Sequence, residues 1–438
     1  MLKNLNRSGN NLLNIIILDA CRFDEDNDTW RIKASSKLAN LKPAFGKALT
    51  SHVNIPQESQ FALIFSSDPG TISYAGEEGG NSFFTSVLLN HLAAPQLELD
   101  GMMKQVRKEM LQNSLGQQRP WIHSCLTEDF YFNQVIPNIP VDARWSQNGE
   151  TVAGGNGEGN ATNQFYHPEG LFIQDDQIMI ITDSFNHRIV QWKMGDRNGK
   201  VLVGGESYGN RLDQLNRPTD ALIDKETNSL IICDRENKRV VRWSRRIDTT
   251  EGKILIDNIY CWGLFMDDQR YLYVSDTKKH EVKRYQVGDK SGNIVAGGNG
   301  KGSDLNQLNF PAYLFVDQQQ NVCVSDWSNH RVMKWNKGAK EGIVVAGGQG
   351  RGNALEQLDG PNGLFVDMLG TIYVADSGNH RVMSWPKDAK QGAIIVGGNG
   401  EGARANQFNR LSGLSFNRQA DLFAIDFNNN RIQFFSIQ

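Results

Sequence analysis

The residue best suited to covalent chemistry is Cys21, near the start of the chain. It lies two residues after Asp19 and follows the apolar run Leu12–Leu18, which predicts a buried strand. A thiol needs a neighbouring base or cation to act as a nucleophile, because it is otherwise mostly protonated near neutral pH. No histidine precedes Cys21 in the sequence, and those closest to it lie downstream: His52, His91 and His123. The alternative is that Cys21 is a small buried residue that ends the strand.

Four other histidines recur at a fixed place in a repeated motif. The motif runs from an Asp through Asn-His-Arg to a Trp, as in Asp376–Trp385, and its histidines are His187, His280, His330 and His380. Zinc needs three or four ligands around one ion, and these histidines belong to separate repeats. The motif therefore predicts structural turn residues and no metal site. We expect its Asp to accept backbone N–H bonds in the turn.

Glycine-rich segments such as Gly154–Gly159 look like phosphate-binding loops, with copies starting at Gly297, Gly347 and Gly397. Each copy precedes a polar linker and not a helix N-terminus, so the phosphate-binding mechanism is missing. These segments are predicted to be turns between repeats, and no cofactor is expected.

The repeats themselves predict an all-β architecture. The repeated Asp stands at positions 183, 234, 276, 326, 376 and 426, so the steps are 51, 42, 50, 50 and 50 residues. Each unit reads as four short strands joined by tight turns, and such units bury a core when they are packed around an axis. The units resemble NHL repeats, and six of them imply a six-bladed β-propeller over residues 146–438. Residues 150–153 are predicted to supply the missing outer strand of the sixth blade.

The first part of the chain predicts α/β structure. Strands are expected at Leu12–Leu18, Phe61–Phe65 and Trp121–Cys125. Asn81-Ser82 is expected to cap one helix, and Leu99–Leu115 predicts a second.

This order of elements resembles the C-terminal part of a caspase-like peptidase domain (caspases, metacaspases and paracaspases). The motifs that match are Asp19–Arg22, Ser67–Gly70 with Ser73-Tyr74, Asn81–Thr85, Gln118–Pro120 and Tyr131-Phe132. By this resemblance Cys21 is the nucleophile, and Asp19 and Ser73 bind substrate. Asp19 matches an acidic residue that holds a basic side chain, while Ala75 stands where caspases place an Arg, so cleavage after Arg or Lys is expected. The family's general-base His lies upstream of the Cys, which predicts either a fragment or a decayed domain, inactive as this chain alone.

Composition and charge describe an ordinary soluble globular protein, with 22% charged and 39% hydrophobic residues and a net charge of −3. Lys+Arg and Asp+Glu are equal in number in residues 144–438, so no global basic field recruits nucleic acid. The five cysteines form no close pairs, which predicts reduced thiols and an intracellular, cytoplasmic protein. No apolar run reaches the length of a membrane span, and the N-terminal apolar run is too short and too interrupted for a signal peptide.

The sequence thus predicts three regions: a truncated α/β caspase-like domain (1–135), a linker (136–145) and the propeller (146–438). The first function hypothesis is a caspase-like cysteine endopeptidase whose propeller selects protein or peptide ligands. The second is a non-catalytic propeller scaffold that carries a relic peptidase domain. RNA binding through a cluster of basic residues on blades 2 and 3 ranks last. The members of this cluster are Arg235, Lys238, Arg239, Arg242, Arg245, Arg246, Lys278, Lys279, Lys283 and Arg284. The irregular edge Asp257–Trp262 of the short third unit is a candidate binding edge, and homodimerisation through the caspase-like domain is left open.

Overall fold

The computed structural model describes residues 13–18, 23–24, 29–30, 60–67, 82–92, 98–116, 118–124, 136–137, 139–175, 177–205, 207–246 and 249–438. The chain divides into two compact units, Met1–Val135 and Ile136–Gln438. Among the described residues, no helix combines the length and the apolarity needed to cross a bilayer.

The first unit contains the predicted strands. β1 (Leu13–Leu18) runs parallel to β4 (Gln60–Phe65), and β5 (Trp121–Ser124) pairs with the other edge of β4 in the antiparallel direction. A short hairpin is formed by β2 (Phe23–Asp24) and β3 (Thr29–Trp30). The parallel pairing of β1 and β4 agrees with their apolar runs, residues 15–18 and 61–65, which are typical of a buried sheet.

Two helices cover this sheet. In α1 (Phe83–Leu92) the hydroxyl of Ser82 accepts the N–H of Thr85 at 3.0 Å, so the predicted N-cap is present. In α2 (Leu99–Asn113) the carboxylate of Glu98 caps the first turn. The core of this unit consists of buried side chains from both helices and β4: Ala62, Ile64, Phe84, Val87, Leu88, Leu99, Met102, Met103, Val106 and Met110.

The second unit is a six-bladed β-propeller of four-stranded antiparallel sheets, as predicted from the repeat. The innermost strands are β7 (Pro168–Asp175), β11 (Pro218–Asp224), β15 (Cys261–Met266), β19 (Pro311–Val316), β23 (Pro361–Val366) and β27 (Leu411–Phe416). The second strands are β8 (Ile178–Asp183), β12 (Ser229–Asp234), β16 (Tyr271–Asp276), β20 (Val322–Asp326), β24 (Ile372–Asp376) and β28 (Leu422–Asp426).

The outer half of each blade completes the sheet. The third strands are β9 (Arg188–Lys193), β13 (Arg239–Ser244), β17 (Glu281–Gln286), β21 (Arg331–Trp335), β25 (Arg381–Trp385) and β29 (Arg431–Phe435). The outermost strands are β10 (Lys200–Gly204), β14 (Lys253–Asp257), β18 (Asn293–Gly297), β22 (Ile343–Gly347), β26 (Ala393–Gly397) and, for the sixth blade, β6 (Glu150–Gly154).

The ring closes as predicted. β6 pairs with β29 in antiparallel register, with Ala153 opposite Ile432 and Thr151 opposite Gln433. Outside these strands Trp145 forms an isolated bridge with Ile437. Trp145 is buried, and its indole N–H donates to the carbonyl of Ala420. The sixth blade is therefore built from both ends of this unit, which covers two edges that would otherwise stay open.

In four of the six blades the histidine of the repeat joins the blade to the next one. Nδ1 of His187 accepts the backbone N–H of Arg217 at 3.0 Å. His280, His330 and His380 make the same bond to the residue 30 positions later. In the sixth blade Asn430 takes this role, since its Oδ1 accepts the N–H of His167 at 2.8 Å. The histidines are turn residues, as predicted.

The repeated Asp holds the loop that enters its blade. Oδ2 of Asp183 accepts bonds from Arg188 and Asn186, and Oδ1 accepts the N–H of Tyr166. The guanidinium of Arg188 binds three carbonyls of the same loop. The prediction placed the bound N–H group in the turn that contains the Asp. The structure instead places it in the loop that precedes the blade. Only in the third blade does the Asp, Asp276, accept N–H groups of its own turn.

The prediction of reduced thiols is wrong for two cysteines. Cys233 on β12 and Cys261 on β15 form a disulfide between blades 2 and 3. Their separation of 28 residues gave no indication of pairing, but the propeller places the second strand of one blade beside the first strand of the next. Blade 2 has Lys238 at the histidine position and therefore lacks the histidine bond to the next blade. The disulfide links blades 2 and 3 instead.

Candidate functional site

The three site residues predicted from the sequence, Asp19, Cys21 and Ser73, lie outside the described residues. β1 ends at Leu18, one residue before Asp19. Of the downstream histidines, His91 lies on α1 and its Nε2 is 2.7 Å from a carboxylate oxygen of Glu109 on α2. The imidazole of His91 is therefore already paired within the helical layer.

The described polar residues with the most unusual surroundings lie at one end of the propeller axis. We call this end the upper face; it is the face at which the innermost strand of each blade begins. Four of the six innermost strands carry glycine in their third position, and a Cβ on Gly263 would approach the carbonyl of Ala312 to 2.9 Å. The other two strands carry Asp220 and Tyr313 there. These two side chains consequently fill space that the glycines leave open.

A buried polar network crosses the axis at this level; we name it the axial cluster, and its members are Glu169, Asp220, Tyr313, Asn362 and Ser412. Ser412 donates to Oε2 of Glu169 at 2.7 Å, and the amide of Asn362 contacts Ser412 at 3.4 Å. Asp220 accepts the N–H groups of Ala221 and Leu264, one on each carboxylate oxygen. The Tyr313 hydroxyl donates to the carbonyl of Thr219 on blade 2. The five members come from blades 1, 2, 4, 5 and 6, and the bond from Leu264 adds blade 3, so the hydrogen bonds of the cluster reach all six blades.

Burial changes the acidity of this cluster. It raises the pKa of Glu169 to about 7, against the opposing effects of the Ser412 hydrogen bond and of Arg235 and Arg217. It also raises the pKa of Asp220 to about 7, and the nearby Glu169 adds to that rise. Burial likewise raises the pKa of Tyr313. Two carboxyl groups therefore change charge near neutral pH at one end of the axis.

Above the cluster lies a second group of residues, which we name the arginine rim: Phe185, Arg217, Arg235 and Trp262. The Arg217 guanidinium carbon lies 4.1 Å from the Phe185 ring centroid, and that of Arg235 lies 4.8 Å from the Trp262 ring. Both arginines interact electrostatically with Glu169. Burial lowers the pKa of Arg235.

Several polar atoms around this end of the axis are buried without a hydrogen-bond partner. They are Nε of Arg235, the indole Nε1 of Trp262, Nδ1 of His167 and Oδ1 of Asn362. An unpaired buried donor or acceptor costs about 1–3 kcal/mol, so such atoms seldom collect at one place without a function.

The basic cluster predicted on blades 2 and 3 does not form a single surface. Arg239 is buried in an ion pair with Asp234, and Arg245 bonds to Gln191. Arg235 belongs to the arginine rim, while Lys238 lies over the ring of Tyr260. In the candidate edge Asp257–Trp262, Tyr260 and Trp262 are both half-buried and each lies under a cation.

Sequence reasoning missed the axial cluster and treated Arg235 only as part of a charged patch. A signal was present, because Asp220 and Tyr313 interrupt a column of glycines in the aligned repeats. No group of metal-ligating side chains large enough to hold an ion is found in the described ranges.

A second depression lies beside blade 5, with a volume of about 450 Å³. Its walls include Trp145, Tyr373, Pro386, Ile394 and Gln438. None of the unpartnered buried polar atoms of the described residues belongs to it. The arginine rim is therefore the stronger candidate site.

Comparison with known proteins agrees with both units. Residues 1–131 match the caspase domain family (Peptidase_C14), and residues 358–382 match the NHL repeat. A Bacteroides thetaiotaomicron structure described as a protein of unknown function is 14% identical, with a TM-score of 0.55 over 73% of this chain and 82% of that one.

Two further structures are described as auxiliary nutrient binding proteins. The one from Bacteroides thetaiotaomicron is 12% identical, with a TM-score of 0.53 over 73% of this chain and 87% of that one. The one from Bacteroides ovatus is 11% identical, with a TM-score of 0.50 over 73% and 80%. At these identities the likeness shows the fold alone. The chain thus joins a caspase-domain segment, residues 1–131, to a six-bladed β-propeller that contains an NHL repeat.

Proposed function

We propose that this protein carries a caspase-type cysteine endopeptidase domain, inactive as residues 1–438 alone, and a propeller that binds protein or peptide ligands at the upper face. The observation that supports ligand binding is the set of unpartnered polar atoms at the arginine rim. They stand among aromatic rings at the mouth of the axis, and aromatic and arginine side chains are enriched at the energetic centres of protein interfaces.

The proposed peptidase function rests on the caspase-domain match and on Cys21 as nucleophile, with Asp19 and Ser73 as substrate-binding residues. No histidine precedes Cys21 in residues 1–438, and His91 is paired with Glu109. The second candidate is a binding protein with a non-catalytic caspase-like domain, and the pairing of His91 with Glu109 favours it. In both cases the propeller supplies recognition.

One experiment tests the shared element. The full chain is used to select binders from a synthetic library of random dodecapeptides with free carboxyl termini. Cross-linking followed by mass spectrometry then locates the bound peptide. Reproducible selection of peptides that cross-link to the upper face supports the proposal, and failure to select any peptide contradicts it.

The same protein is assayed with fluorogenic Arg and Asp peptides, alone and as Cys21→Ala, to separate the two candidates. Turnover that the substitution abolishes favours the peptidase. Unchanged background turnover is the result expected of residues 1–438 alone, and it agrees with the binding protein.

A further inference from the structure

We propose that the arginine rim binds a carboxylate group of a peptide ligand. This inference rests on the proposed peptide-binding function and names the chemistry that the site recognises. Its basis is that two unpaired buried donors, Nε of Arg235 and the indole N–H of Trp262, belong to the rim itself, whereas the unpaired oxygen of Asn362 belongs to the axial cluster.

Arg217 is half-buried and offers donors that a ligand could reach. Its guanidinium lies on the Phe185 ring, and no acceptor for any of its N–H groups is found in the described part of the chain. Arg235 has only a long contact, 3.4 Å, between Nη1 and an oxygen of Glu236, and its Nε has no partner. The indole N–H of Trp262, under Arg235, is also unpaired. Guanidinium groups bind carboxylates through two parallel N–H bonds, so an entering carboxylate would supply the acceptors that are missing.

The nearby acidic groups do not fill that need. Both oxygens of Asp220 already accept backbone N–H groups, and Oε2 of Glu169 accepts the Ser412 hydroxyl. Glu169 and Asp220 are also partly protonated near neutral pH, because burial raises the pKa of each to about 7. The charge of the two arginines is therefore incompletely neutralised. A basic ligand would meet this positive charge and would find no free carboxylate oxygen on Asp220.

The shape of the rim favours a single planar anion over an extended phosphate chain. Both guanidinium groups are held against aromatic rings, and both act on the same carboxyl group, Glu169. The other basic residues of blade 2 do not extend the site, since Arg239 is buried in an ion pair and Arg245 bonds to Gln191. Nucleic acid binding needs a row of phosphate contacts, which this arrangement does not offer.

The test uses the full chain and three variants, Arg217→Gln, Arg235→Gln and Arg410→Gln. Arg410 is the matched control, because it occupies the position of Arg217 in blade 6 and its backbone N–H makes the same bond to a histidine. Peptides from the dodecapeptide selection are synthesised with each Asp or Glu replaced by its amide, and separately with an amidated C-terminus. Dissociation constants are measured by fluorescence anisotropy, with oligouridylate RNA as competitor. Thermal unfolding verifies that each variant is folded.

We expect selected peptides to lose at least about tenfold in affinity when one carboxylate is neutralised, since a hydrogen bond to a charged group is worth about 1.5–3 kcal/mol. The amidated peptides show whether that carboxylate is a side chain or the C-terminus. Arg217→Gln and Arg235→Gln should each lower the affinity for the unmodified peptides by a similar factor. Arg410→Gln should change that affinity by no more than about twofold.

Other results overturn the inference in distinguishable ways. Selected peptides that bind equally with and without carboxylates, or equally to Arg217→Gln, Arg235→Gln and the unsubstituted chain, contradict carboxylate recognition and leave peptide binding intact. Displacement of the peptides by RNA that itself loses affinity for Arg217→Gln and Arg235→Gln assigns the rim to nucleic acid. Selection of no peptide contradicts both the inference and the proposed function.

Discussion

Nδ1 of His187 in blade 1 accepts the backbone N–H of Arg217 in blade 2 at a distance of 3.0 Å. This single bond fixes the start of the second blade against the turn of the first, at the residue whose side chain then lies on Phe185. The same histidine that joins neighbouring blades therefore also positions half of the arginine rim. Because the bond needs an imidazole nitrogen without a proton, it connects the stability of the ring to pH.

Replacing His187 and His280 by Asn should remove part of the pH dependence of stability. Burial lowers the pKa of both imidazoles below 6.5. A lowered folded-state pKa means that the unfolded chain binds more protons than the folded chain. The stabilisation that the two neutral imidazoles provide is therefore complete above about pH 6.5 and is lost as the pH falls. Asn preserves an acceptor, as Asn430 does in blade 6. Urea unfolding at pH 7.5 and 5.5 measures how much the free energy of unfolding falls between these two pH values. An equal fall in the variant and in the unsubstituted chain would contradict this prediction.

Glu169→Gln should remove a pH dependence of stability whose sign is opposite to that of the histidines. Burial raises the pKa of Glu169 from its ordinary 4.5 to about 7, so the folded state binds more protons and stability falls as the pH rises through 7. The amide cannot ionise, and it still offers an oxygen to Ser412. We expect the variant to gain up to about 3 kcal/mol relative to the unsubstituted chain between pH 5 and pH 8. Urea unfolding tests this, with the exposed Glu356→Gln as control. A relative stability that does not change with pH would exclude Glu169 as the titrating group.

Reduction of the Cys233–Cys261 disulfide should destabilise the propeller. The bond closes a loop of 28 residues, for which chain entropy predicts about 3–4 kcal/mol. Cys233→Ser and treatment with dithiothreitol should lower the unfolding midpoint by the same amount, and the two effects should not add. Peptide mapping without reductant should find the two segments linked. Complete alkylation of both cysteines in unreduced protein would show that the bond is absent.

Removing residues 146–154 should cause association of the propeller, because β29 loses its partner β6 and presents an unpaired edge. Size-exclusion chromatography measures the outcome. A synthetic peptide of residues 146–154 should restore the elution volume of the undeleted chain, since it carries β6. A deletion variant that elutes unchanged without the peptide would mean that the sixth blade is stable with three strands.

A polypeptide of residues 1–438 should show no peptidase activity that depends on Cys21. The physical reason is the absence of a histidine before Cys21, since loss of the general base costs several orders of magnitude in rate. Hydrolysis of Arg and Asp peptides should be indistinguishable between the unsubstituted chain and Cys21→Ala. Activity abolished by Cys21→Ala would mean that another group activates this thiol.

The fold was largely predictable because the repeat is encoded locally. Every blade carries the repeated Asp, five of the six carry the Asn and the Arg, and four carry the closing Trp. In blade 4, Asn329 and Arg331 bond to Asp326 of the same blade, and Asn329 also bonds to the loop that enters it. The position of the closing strand followed from the count of strands in the last repeat. The helices of the first unit were similarly visible from the spacing of apolar residues and from the cap at Ser82.

What the sequence determined by itself is thus the number of blades, their strands and the manner of closure, since these depend on short-range patterns that recur every 50 residues. Only the tertiary structure decided which residues of different blades meet. The disulfide, the axial cluster and the arginine rim each join residues from separate repeats, as Glu169 and Ser412 do across 243 positions. Radial packing brings these positions together, because the innermost strands of all six blades begin around one axis, and no local pattern records that proximity.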